Sequence, residues 1–196
     1  MTGGVYVAGG DVDGDGRAEI VTGVLPGGGP HVRVFSIDAN NHTALRAETM
    51  AYEPSFTGGV NVATTPFGGV VTAPGPGHAV QVERFAFGDN ALTMVSSFST
   101  DAPWTGGLTI ADRVIDPRYG DFVLTARMTG GSPRVTIFHQ GYLNGAPWLD
   151  FLADSPSFLG GVSVDAGRFV AGGPIGLVTV TGPGKPVTLQ VRRIRY

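Results

Sequence analysis

The chain has 196 residues, of which 32 are glycine and 14 are proline, while charged residues make up only 15 %. A hydrophobic share of 42 % excludes bulk disorder, and the absence of a three-residue glycine period excludes collagen. A net charge of −3 without a long basic segment argues against nucleic-acid binding, and the lack of cysteine excludes disulfides and thiolate sites. No apolar run approaches the roughly 18 residues of a membrane span.

Residues 1–7 carry neither the basic segment nor the apolar run of a secretory signal. They predict either a cytosolic protein or a mature segment that begins with an added methionine.

Three landmarks recur four times in the same order along the chain. A glycine pair precedes two alternating aliphatic residues, a threonine follows two aliphatic residues, and a short alternating run follows a turn rich in glycine and proline. The pairs are Gly3-Gly4, Gly58-Gly59, Gly106-Gly107 and Gly160-Gly161, the threonines are Thr22, Thr72, Thr125 and Thr179, and the runs are 32–34, 80–82, 135–137 and 187–189.

A fourth landmark, an aromatic residue two positions before the next glycine pair, closes the first three repeats at Phe56, Trp104 and Phe158. The repeats are therefore approximately 1–56, 57–104, 105–158 and 159–196. Each holds up to four short segments with the period-two alternation of strands. A period of 40–50 residues with four strands is typical of a β-propeller blade. We predict an all-β, single propeller domain over 1–196, made of four-stranded antiparallel blades with an incomplete last blade.

The aliphatic residues after each glycine pair are predicted to lie in the inner strands and to face the neighbouring blade. Glycine at these points permits close backbone approach, and the aromatic residues are expected to fill the wider space between blades. The predicted inner-strand residues are Val5, Val7, Val60, Val62, Leu108, Ile110, Val162 and Val164.

Repeat 1 contains a loop with the spacing of a calcium ligand set. Asp11, Asp13, Asp15 and Glu19 occupy loop positions 1, 3, 5 and 9, and a glycine stands at position 6. A hard cation needs six to eight oxygens, so alternating carboxylates must converge from one short turn, with the Arg17 carbonyl as the backbone ligand. We predict one Ca²⁺ here, the alternative being an Asp/Gly-rich surface turn without metal.

The other repeats lack this spacing. Repeat 3 keeps Asp112, Asp116 and Asp121, but four and five residues apart. These three acids are predicted to be solvated turn residues, with a weak second metal site as the alternative.

The segment 3–23 resembles an FG-GAP (VCBS-type) repeat, the unit of integrin-α-like propellers and of many bacterial surface proteins. Thr72-Ala73-Pro74 is similar to that family's Gly-Ala-Pro element, and the stretch 29–35 is typical of its bacterial members. The resemblance implies four-stranded blades, calcium held between the first two strands, and a non-enzymatic, usually extracellular role. Glu19 departs from the family pattern, which has Asp there.

Together these features predict a non-catalytic, calcium-stabilised module of a secreted or cell-surface protein that binds a protein or glycan partner. One alternative is an architectural subunit or propeller fragment that assembles into a larger ring, for instance of eight blades. Another is a polysaccharide-acting enzyme domain.

The ends of the chain predict about fifteen strands. Repeat 4 leaves no room for a fourth strand, and Met1 stands where an aromatic residue would precede the first glycine pair. Residues 187–196 should therefore form an exposed edge that recruits another chain, a route to a homo-oligomer. Arg192, Arg193 and Arg195 are expected to protect this edge in the free chain.

Overall fold

The computed structural model describes residues 3–100, 103–139 and 146–194. These residues form fifteen strands in four antiparallel sheets, and within each sheet the strands follow one another in chain order. This order is that of β-propeller blades, so the all-β class, the four blades and the incomplete last blade are confirmed. None of the described residues belongs to a helix that is long and apolar enough to cross a membrane.

The strands fall within the four repeats. Repeat 1 holds β1 (Val5–Gly10), β2 (Glu19–Val24), β3 (His31–Ile37) and β4 (Thr43–Met50). Repeat 2 holds β5 (Val60–Thr64), β6 (Val70–Pro74), β7 (Gln81–Gly88) and β8 (Ala91–Ser99). Repeat 3 holds β9 (Leu108–Asp116), β10 (Gly120–Arg127), β11 (Arg134–His139) and β12 (Leu149–Leu152). Repeat 4 holds β13 (Val162–Arg168), β14 (Ile175–Thr181) and β15 (Leu189–Arg193).

The chain divides into two compact units, Met1–Gly107 and Leu108–Tyr196. Each unit contains two sheets and its own apolar core. In the first unit β1 and β2 lie against β5, and in the second β9 and β10 lie against β13. The single propeller domain over 1–196 stays a prediction.

The prediction that Val5 and Val7 face a neighbouring blade is wrong within the first unit, because their exposed fractions are 51 % and 64 %. Successive strand residues point to opposite faces, and it is Tyr6 and Ala8 that pack against the core of this unit. The corresponding residues of the other repeats behave as predicted or nearly so. Val60, Val62, Leu108, Val162 and Val164 are buried, and Ile110 is half-buried.

The glycine pair of repeat 2 lies between two hairpin turns, an arrangement we call the glycine joint. A Cβ on Gly58 would stand 2.0 Å from the Pro76 carbonyl oxygen and 2.4 Å from Cζ of Phe56. A Cβ on Gly59, whose φ is +80°, would stand 2.6 Å from the backbone of Leu25 in the preceding repeat. No larger residue fits between these backbones. The Phe56 ring covers the glycine and also belongs to the apolar core that the two sheets of this unit share.

The glycine joint recurs in the second unit. A Cβ on Gly160 would meet the Pro183 carbonyl oxygen at 1.9 Å and Cζ of Phe158 at 2.4 Å. A Cβ on Gly161, with φ of +75°, would meet the backbone of Met128 at 2.6 Å. The same residue types therefore make the same close backbone contacts in both units.

A hydrogen bond ties the hairpin turn of one repeat to the residue before the next glycine pair. The donors are turn glycines with φ near +100°, and the acceptors are the carbonyls that precede the pairs. The bonds run from Gly27 to Thr57, from Gly77 to Thr105 and from Gly130 to Leu159, each 2.8 Å long.

The strand register corrects the position of the third landmark in repeats 2 and 4. The landmark threonine pairs with the middle residue of the run, and the partners are Arg33, Glu83, Thr136 and Gln190. The runs equivalent to 32–34 and 135–137 are therefore 82–84 and 189–191, two residues later than predicted. As a result Glu83 lies opposite Thr72.

The last sheet has three strands in the order β13-β14-β15, so the predicted edge strand is confirmed within the described residues. On β15, Leu189 and Val191 are 62 % and 52 % exposed, and Val187, just before the strand, is 78 % exposed. Arg192 does not shield this edge, because its guanidinium lies 4.8 Å from the centre of the Phe151 ring in the neighbouring sheet. Recruitment of another chain by β15 stays a prediction, and Met1, Arg195 and Tyr196 lie outside the described residues.

We expect Gly58→Ala to lower the free energy of unfolding by about 1–3 kcal/mol, because the new methyl group must displace backbone and an aromatic ring. The matched control is Gly88→Ala on β7, where an added Cβ meets nothing within 4 Å and φ is not positive. This control should lie within about 0.5 kcal/mol of the parent protein. Urea unfolding of the two variants measures the difference, and equal stabilities would contradict the glycine joint.

Candidate functional site

The acidic loop of repeat 1 connects β1 and β2 and is shaped by glycines. Gly14 and Gly16 have φ of +79° and +87°, which favours glycine because of its missing Cβ. The N–H groups of both glycines donate to the two carboxylate oxygens of Asp11, at 2.7 and 2.9 Å. The chain therefore wraps around the Asp11 carboxylate.

Three of the predicted ligands converge in this loop. One carboxylate oxygen from each of Asp11, Asp13 and Asp15 lies within 4.8 Å of the others. Calcium–oxygen distances are about 2.3–2.6 Å, so two ligands of one ion can stand up to about 5 Å apart. The three side chains therefore fit a single Ca²⁺, and among the described residues no other group of three His, Cys, Asp or Glu side chains comes together in this way.

Glu19 and Arg17 take other positions in the loop. The buried Glu19 carboxylate accepts a hydrogen bond of 2.9 Å from the Val12 N–H and is not among the three converging groups. The Arg17 N–H donates to Asp15 at 2.8 Å. The structure thus shows Glu19 bracing the loop from within, and the roles of Glu19 and of the Arg17 carbonyl as ligands stay predictions.

A basic side chain from the same sheet lies beside the loop. Nη2 of Arg46, on β4, stands 3.6 Å from a carboxylate oxygen of Asp13, and its Nε donates to Asn90 at 2.8 Å. This guanidinium offsets part of the mutual repulsion of the three carboxylates. A cation bound in the loop and the Arg46 guanidinium would both contact the Asp13 carboxylate.

The acids of repeat 3 are not solvated turn residues, and that prediction is wrong. Asp112 and Asp116 lie on β9 and Asp121 lies on β10, and all three are at most 3 % exposed. The longer strands of this repeat leave only a tight turn between them, so the acids do not share a loop. Hydrogen bonds from Arg118 hold the pKa of Asp116 below its usual range.

The first unit contains a cleft of about 390 Å³ that sequence analysis missed. Its floor carries the carboxylate of Glu83, on β7, which is 8 % exposed. Burial raises the pKa of this carboxyl group to about 7, an effect that nearby His78 opposes and Glu53 reinforces. The cleft is lined by Thr49, Met50, Ala51, Tyr52, Glu53, His78, Gln81, Glu83, Phe85, Leu92 and Met94.

The polar groups around this cleft are held by specific contacts. The Tyr52 hydroxyl donates to the Gln81 carbonyl at 2.9 Å and lies 3.2 Å from the Thr72 hydroxyl, and burial raises the pKa of Tyr52. Nε2 of His78 lies 3.1 Å from a Glu53 carboxylate oxygen. The signal that could have revealed the cleft is the pair of charged residues, Glu83 and Arg84, between Val82 and Phe85 in a strand of the sheet interior.

A larger cavity of about 730 Å³ lies within the second unit. Four aromatic side chains and three arginines line it, and no carboxylate does. Arg193 pairs with Gly176 through its backbone, and its exposed side chain makes no ion pair or hydrogen bond with any other described residue. The lining residues are Arg118, Tyr119, Phe122, His139, Trp148, Leu149, Phe151, Leu177, Arg192, Arg193 and Ile194.

Comparisons of the sequence with models of known protein families and with curated proteins find no match. The interpretation of these sites therefore depends on their own geometry and chemistry.

Proposed function

We propose that the chain is a non-catalytic, calcium-stabilised β-propeller module of the FG-GAP type, from a secreted or cell-surface protein, that binds an acidic glycan. The observation that carries the calcium part is the convergence of Asp11, Asp13 and Asp15 within 4.8 Å. Three carboxylates this close repel one another, and a divalent cation relieves the repulsion. The resemblance of segment 3–23 to the family's calcium loop supports the same proposal.

Calcium in this loop would stabilise the first unit and not take part in a reaction. Asp11, Asp13 and Asp15 would hold the ion, and Glu19, together with the Arg17 carbonyl, would complete the ligand set. The ion would fix the turn between β1 and β2, whose Val12 carbonyl accepts a hydrogen bond from Gly69 in the neighbouring sheet. The ion would thereby also stabilise the contact between this loop and the second sheet.

The chemistry of the cavity in the second unit supports the partner class. Aromatic faces offer flat apolar surfaces for the carbon skeleton of a sugar ring. Arginine guanidinium groups bind carboxylates through paired hydrogen bonds. A volume of about 730 Å³ lies in the range of ligand-binding sites and accommodates a short uronic-acid oligomer.

Addition of calcium should raise the melting temperature of the chain, and a chelator should reverse the rise. A hundredfold excess of calcium over the dissociation constant corresponds to about 2.7 kcal/mol of added stability. Asp13→Asn should remove most of this gain, whereas Asp150→Asn, which removes a surface carboxylate paired with Arg134 at 2.5 Å, should keep it. Calorimetry with and without calcium measures both variants, and an unchanged melting temperature of the parent protein would contradict the proposal.

Tetragalacturonate should bind the chain, and Arg193→Ala should weaken this binding at least fivefold because a charge-assisted guanidinium–carboxylate pair is lost. Arg168→Ala is the matched control, since Arg168 does not line the cavity and instead donates to the Gly173 carbonyl at 2.5 Å. Isothermal titration at low and high salt measures the affinities. Equal binding of the neutral maltotetraose, or equal loss in both variants, would count against an acidic glycan.

A further inference from the structure

The cleft of the first unit contains a largely buried glutamate, Glu83, that belongs neither to the calcium loop nor to the cavity of the second unit. The Glu83 side chain is more than nine-tenths buried and lines the cleft, yet its carboxylate accepts no hydrogen bond from any described residue. The carboxylate oxygens are not among the fully buried polar atoms, so they face the open space of the cleft. A ligand in the cleft can therefore donate to them directly.

The charges that face Glu83 favour a cation. Glu53 adds a second carboxylate at the cleft, and neither lysine nor arginine lines it. Both ring nitrogens of His78 already have partners. Nε2 lies 3.1 Å from a Glu53 carboxylate oxygen, and Nδ1 lies 2.6 Å from the Ala79 carbonyl oxygen. The Tyr52 hydroxyl likewise donates to a backbone carbonyl. The cleft thus holds two carboxylates, while the donors that Thr49 and Gln81 add to its lining are neutral.

The remaining lining distinguishes an organic cation from a metal ion. A metal ion needs several oxygen ligands around it, and no group of three acidic or histidine side chains converges here among the described residues. Met50, Phe85, Leu92 and Met94 contribute apolar side chains beside the polar groups. Methionine side chains adapt to apolar ligands of irregular shape.

We propose that this cleft binds the ammonium group of an alkylamine, with Glu83 and Glu53 as acceptors and the four apolar side chains beside the alkyl chain. The ammonium group offers three donors, which match the acceptors that the buried carboxylate presents. A volume of about 390 Å³ holds an alkyl chain of lysine length. The ligand is either a free amine or the side chain of a lysine, and both present the same group.

The methionine methyl groups provide a direct test in the full chain. Of the four methionines, Met50 and Met94 line the cleft, whereas Met128 lies in the second unit. Titration with pentylammonium chloride at pH 8.5 should shift the methyl resonances of Met50 and Met94 to saturation and leave Met128 unchanged. Nα-acetyl-lysine methylamide should compete if a lysine side chain is the source, and a failure to compete with pentylammonium still bound would assign the cleft to free amines.

Glu83→Gln should weaken the binding of pentylammonium at least tenfold, because the amide keeps the shape and removes the charge. The control is Glu48→Gln, a half-exposed glutamate on β4 that does not line the cleft, and its affinity should equal that of the parent protein. At pH 5.5 the parent protein should bind at least tenfold more weakly than at pH 8.5. Glu83→Gln should show less of this pH dependence.

Pentanol tests the charge without any variant, since it has the same chain length and no ammonium group. Equal affinity for pentanol and pentylammonium would overturn the proposal, as would equal affinity of Glu83→Gln and the parent protein. The pentanol comparison decides the question by itself if Glu83→Gln does not fold. The titrations are run with a chelator present, so their outcome does not depend on calcium.

Discussion

The close packing of backbone at the glycine pairs is the constraint on which the rest of each unit depends. At the glycine joint an aromatic ring and one hairpin turn lie against the first glycine of the pair, and the turn of the preceding repeat lies against the second. A turn glycine of one repeat then donates to the carbonyl just before the next pair. Sheet packing between blades is mostly apolar and non-directional, whereas this contact fixes where one sheet begins relative to the turn of the one before it.

The same joint shapes the cleft of the first unit. The Phe56 ring, which covers Gly58, lies 5.9 Å from the Tyr52 ring and 5.1 Å from the His78 ring. Those two side chains stand beside Glu83, so a contact made for packing also positions the polar groups of a binding site. In the second unit the equivalent ring, Phe158, instead lies 4.8 Å from the Lys185 ammonium, a cation where the first unit has the imidazole of His78. Equivalent joints thus support different surface chemistry, which is how repeat proteins diversify.

Much of the fold follows from the sequence because glycine pairs, threonines and aromatic residues recur with the spacing of four-stranded blades. The strand count and the missing last strand follow from the same spacing. Two predictions of residue position are wrong. Val5 and Val7 point away from the core of their unit, and the third landmark of repeats 2 and 4 lies two residues later than the sequence pattern indicates. A two-residue shift preserves alternation, so periodicity cannot detect it, and the shift concealed Glu83. The convergence of the three loop aspartates was predictable from their spacing, whereas burial of a lone glutamate depends on contacts far along the chain.

Amide hydrogen exchange of the turn glycines tests the joint most directly. Gly27, Gly77 and Gly130 lie in hairpin turns, where exposed amides normally exchange fast, but each donates to a carbonyl at the start of the next repeat. We predict that their amides exchange at least a hundredfold more slowly than the amide of Gly29, which donates to no described residue. Exchange of all three at the rate of Gly29 would show that the turns do not bind the next glycine pair, and it would contradict the account.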